Sequence, residues 1–63
     1  MHIQRLSQAG CFASARSWRA HADILRANAQ ASYLDQDNRH VLMREAEAAD
    51  RQADMWLDAA AEE

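Results

Sequence analysis

Small and apolar residues recur along two stretches of this chain at the spacing of a single helical stripe. Cys11, Ala15, Trp18, Ala22, Leu25, Ala29 and Ser32 follow one another at steps of 4, 3, 4, 3, 4 and 3. Leu42, Ala46, Ala49, Ala53, Trp56 and Ala60 repeat the pattern at steps of 4, 3, 4, 3 and 4. Alternating steps of four and three keep side chains on one side of an α-helix, whereas a strand needs period two. The spacing predicts helix 1 over residues 11–34 and helix 2 over residues 39–61.

Between the stripes lies Leu34-Asp35-Gln36-Asp37-Asn38-Arg39. Aspartate and asparagine compete with helical hydrogen bonding and favour turns and N-caps, which predicts a turn at 35–38. Asp35 or Asp37 caps helix 2, and Asp37 gains support from the preference of carboxylates for a helix N-terminus. No glycine or proline forces the break, so one continuous helix is the competing expectation.

Folding the chain at that turn brings Ala15 to Trp56, Trp18 to Ala53, Ala22 to Ala49, Leu25 to Ala46 and Ala29 to Leu42. Each large side chain then meets an alanine, as close packing requires. The expected architecture is all-α, a single antiparallel two-helix hairpin over residues 1–63. Residues 1–10 interrupt the stripe, because Gln4 and Gln8 stand where the seam needs apolar groups. A short helix, an extended arm and a frayed terminus all remain open for them. Gly10 weakens a helix by about 1 kcal/mol relative to alanine, and Ser7 or Ser14 could cap the helix start.

A second stripe runs one position after each seam residue: Phe12, Arg19, Arg26 and Tyr33 on helix 1, Met43, Asp50 and Leu57 on helix 2. The antiparallel register places Phe12 near Leu57, Arg19 near Asp50 and Arg26 near Met43. A hairpin cannot bury these groups by itself, so they form the expected interface. Two hairpins packed by a twofold axis into a four-helix bundle would cover them, making a homodimer the expected partner state.

Composition narrows the picture. The 63-residue chain is 49% hydrophobic, yet 15 of its residues are alanine, so large apolar side chains are few. Chains of this size usually need a partner chain, a metal, disulfides or exceptional helix packing. Cys11, the single cysteine, reads as a small buried apolar residue, and a lone thiol fits a reducing cytoplasm. No apolar run resembles a signal peptide or a membrane span. All seven basic residues are arginine, which with the abundant alanine points to a GC-rich bacterial or phage genome.

Charge is split between the halves. Residues 1–34 carry four arginines against Asp23 alone, a net +3, while residues 35–63 carry three arginines against nine acids, a net −6. Opposite halves favour folding back, with surface pairs setting orientation more than stability.

Chemistry is sparse. His2, His21 and His40 lack the i, i+3 or i+4 spacing of helical metal ligands, and Cys11 has no second cysteine. Cys11 and His21 on one helix stand about 15 Å apart, too far for a nucleophile–base pair. No phosphate-cradling glycine loop occurs. No cofactor, metal or catalysis is therefore expected. Trp18 and Trp56 read as seam packing, or as interface anchors of the kind tryptophan often supplies.

The expected function is a small cytoplasmic protein–protein interaction module (an adaptor, inhibitor or accessory protein, phage- or plasmid-borne) acting through amphipathic helix surfaces. Two other readings stand beside it. Arg16, Arg19 and Arg26 line one side of helix 1 and could meet nucleic acid. In length, seam spacing and the turn at Leu34-Asp35, the layout is similar to that of the Rop family of plasmid copy-control proteins, which implies a dimeric bundle that binds RNA hairpins. The face that would touch RNA here carries Ala13, Ser17, His21 and Asn28, and the net charge of −3 opposes phosphate binding. Alternatively Glu47, Asp50, Asp54, Asp58 and Glu62, at steps of 3, 4, 4 and 4, could mimic nucleic acid, or simply form a solvated face pairing with Arg44 and Arg51.

Overall fold

A computed structural model describes residues 7–31, 33 and 35–62. They form two helices, α1 (Gln8–Ala29) and α2 (Gln36–Ala61), with no strand among the described residues. An unbroken 63-residue helix would be about 95 Å long at 1.5 Å per residue, whereas the principal extents are 50 × 19 × 17 Å. Polar links between the helices give the direction of packing. Arg39 meets the carbonyl of Ala31, Arg26 meets Asp50, Arg19 meets Asp50 and Asp54, and Gln8 meets the carbonyl of Ala60. The sequence separation grows steadily from 8 to 52 along that series, which is the signature of an antiparallel hairpin.

Capping chemistry sets both helix starts earlier than the seam alone predicts. The Ser7 hydroxyl accepts the Gly10 N–H at 3.0 Å, so α1 begins at Gln8 and absorbs Gly10. A Cβ on Gly10 would lie 3.2 Å from that hydroxyl, so the bare Cα leaves the cap room. Asp35, extended at φ −76° and ψ 170°, accepts the Asn38 N–H at 2.8 Å. Asp35 is therefore the cap, and Asp37 lies inside the first turn, where its charge still favours the helix dipole. The expected turn residues 36–38 thus belong to α2, and the described residues between the helices are Gln30, Ala31, Tyr33 and Asp35.

At the other end of α1, the Gln30 N–H is shared between the carbonyls of Arg26 and Ala27, both at 3.2 Å, and the Ala31 N–H reaches Asn28 at 3.1 Å. These tightened bonds close the helix at Ala29, five residues short of the expected Leu34. Side chains tie down a backbone carbonyl at each end of the pair. Gln8 Nε2 donates to the Ala60 carbonyl at 3.0 Å, and Arg39 donates to the Ala31 carbonyl at 3.4 Å. Ser32, Leu34 and the N-terminal Ile3 and Leu6 lie outside the described residues, as does most of the 1–10 segment.

The seam is narrow and alanine-lined. Its buried members are Cys11, Ala15, Ala22, Leu25 and Ala29 on α1, with Ala46, Ala49, Ala53 and Ala60 on α2. Ala22, Leu25, Ala46 and Ala49 pack as one cluster with Leu42 against it. Alanine contacts allow helices to approach toward the lower end of the usual range of about 8–10 Å. Both tryptophans stand on the seam stripe without being fully covered: Trp18 is 37% exposed, and Trp56 is half-buried.

Candidate interaction surfaces

The two sides of the hairpin differ in chemistry. One residue after each seam position, the expected interface stripe lies on a common side, at about 80–100° from the seam on each helix for 3.6 residues per turn. Its middle is an ion-pair ladder. Asp50 accepts Arg19 Nη1 at 3.2 Å on one carboxylate oxygen and Arg26 Nη1 at 2.7 Å on the other. Arg19 Nη2 continues to Asp54 at 3.1 Å, and Arg26 Nη2 to Asp23 at 2.6 Å. Arg26 thus pairs seven residues, about two turns, beyond the neighbour its register suggests, Met43, because its long side chain can find the Asp50 carboxylate there.

Electrostatics follow from that geometry. The hydrogen bond from Arg26, together with the nearby charges of Arg26 and Arg19, holds the Asp50 carboxyl below its ordinary range despite partial desolvation. The same bond to Asp50, with help from Asp23, raises Arg26. Around the ladder, Phe12, Met43 and Leu57 are 45%, 39% and 38% exposed, and Tyr33 stands almost free in the connecting loop. Phe12 and Leu57 line one shallow groove with Ala15, Arg16 and Arg19, so the expected proximity of Phe12 to Leu57 matches this grouping.

The opposite side has a different composition. One residue before the seam positions stand Ser14, His21 and Asn28 on α1, with Glu45, Gln52 and Ala59 on α2. Only Glu45 among them carries a formal charge at neutral pH when histidine is neutral. Both tryptophans lean this way. The Trp18 ring meets His21 edge-on, with centroids 6.1 Å apart and planes at 71°. Trp56 lines a shallow, mainly apolar groove with Gln52, Met55 and Ala59. No ion pair between the helices crosses this side among the described residues.

The stripe at Phe12 was readable from heptad spacing, but this tryptophan side was not singled out. Its signal in the sequence is the near absence of charge at the positions just before the seam. Among the described residues no group of three or more histidine, cysteine, aspartate or glutamate side chains could hold a metal ion. Cys11 is free and buried. No described helix is long and apolar enough to cross a membrane. No family model, curated protein or solved structure matches the chain.

Proposed function

We propose that the hairpin is a non-enzymatic protein–protein interaction module that completes its fold by association, two copies forming a four-helix bundle. One observation carries this reading. Among the described residues, seven of the nine buried core residues are alanine, no large side chain is fully buried, and Phe12, Trp18, Ile24, Tyr33, Val41, Met43, Met55 and Leu57 are exposed. A core of alanines removes little apolar surface from water, at about 25 cal/mol per Å², while the larger apolar groups remain available to another helical surface. The bacterial or phage origin and cytoplasmic setting suggested by arginine-only basic residues and a lone thiol belong to the same proposal.

The charged alternatives lose ground to the ladder. Arg19 and Arg26 spend their guanidinium groups on Asp23, Asp50 and Asp54, which takes them from a phosphate-binding face. The same pairs remove Asp50 and Asp54 from an acidic, nucleic-acid-like stripe. Sedimentation equilibrium over a wide concentration range tests the proposal. The expected result is a reversible shift from the 7.1 kDa chain to twice that mass. A species that stays at the single-chain mass to millimolar concentration would remove the reading.

A further inference from the structure

We draw no further inference here: the strongest candidate, the shallow groove on the tryptophan side of the hairpin where Trp56 stands with Gln52, Met55 and Ala59, is an apolar face with nothing in the structure to show what covers it.

Discussion

The two sides of the hairpin come from the same heptads yet are finished in opposite ways. On the ladder side, positions just after the seam carry Arg19, Arg26 and Asp50, and these groups find one another within the chain. On the tryptophan side, positions just before the seam carry His21 and Gln52; the Trp18 ring meets His21, and Trp56 lines a shallow groove with Gln52, Met55 and Ala59. The first side satisfies its polar atoms internally and fixes which helix direction pairs. The second leaves Trp18 and Met55 exposed among the described residues. A two-helix unit with an alanine seam thus separates specification of its fold from completion of its core.

The comparison breaks most severely at the seam, because both sides depend on the closeness of the helices. Replacing Ala22 and Ala49 together by leucine overpacks the buried cluster. The expected loss is roughly 3 kcal/mol or more, read by thermal or urea unfolding, with the ladder and the tryptophan groove disturbed together. Retention of wild-type stability would mean that the helices are not in close contact there.

Asp35→Ala removes the α2 cap without touching either side. It should cost about 1 kcal/mol, seen as a lower unfolding midpoint with unchanged association at equal folded concentration. Asp37→Ala should cost less, because Asp37 makes only a dipole contribution while Asp35 holds the Asn38 N–H.

A smaller effect isolates the ladder. Because its folded carboxyl is held low, Asp50 binds a proton less readily in the folded chain than in the unfolded one. Its contribution is therefore complete above the unfolded carboxylate value of about 3.9 and is lost as pH falls through the lower folded value. Below about pH 4 the wild type should lose stability more steeply than Asp50→Asn, which lacks that titration. Parallel acid curves would show that the ladder adds nothing beyond a generic surface charge. Arg26 is raised and stays charged throughout this range.

Salt gives the smallest separation. At 1 M the screening length falls to about 3 Å, which should weaken the partly exposed ladder slightly while leaving association through apolar side chains undiminished. Association that collapses with salt would point to a charged contact instead.

Much of this architecture was legible in the residue spacing, because a 4–3 repeat places side chains on one stripe whatever their size. The antiparallel direction was legible in the split of charge between the halves, and Arg19 does meet Asp50. The helix ends were less legible. Asp35 and Asp37 are chemically equivalent as caps, and the choice between them depends on where α1 releases the chain after Ala29. The position of Trp18 was hidden for a different reason. Its spacing assigns it to the seam, yet Trp18 is 37% exposed and its ring meets His21 edge-on. Heptad position reports direction from the helix axis, whereas burial also depends on how much room the opposing side chain leaves.

Isotope-filtered NMR on a mixture of labelled and unlabelled chains measures the central claim most directly, since it records only contacts between different molecules. The account predicts intermolecular cross-peaks from exposed apolar side chains such as Phe12, Trp18, Met43, Met55 and Leu57. None at concentrations up to millimolar would contradict it.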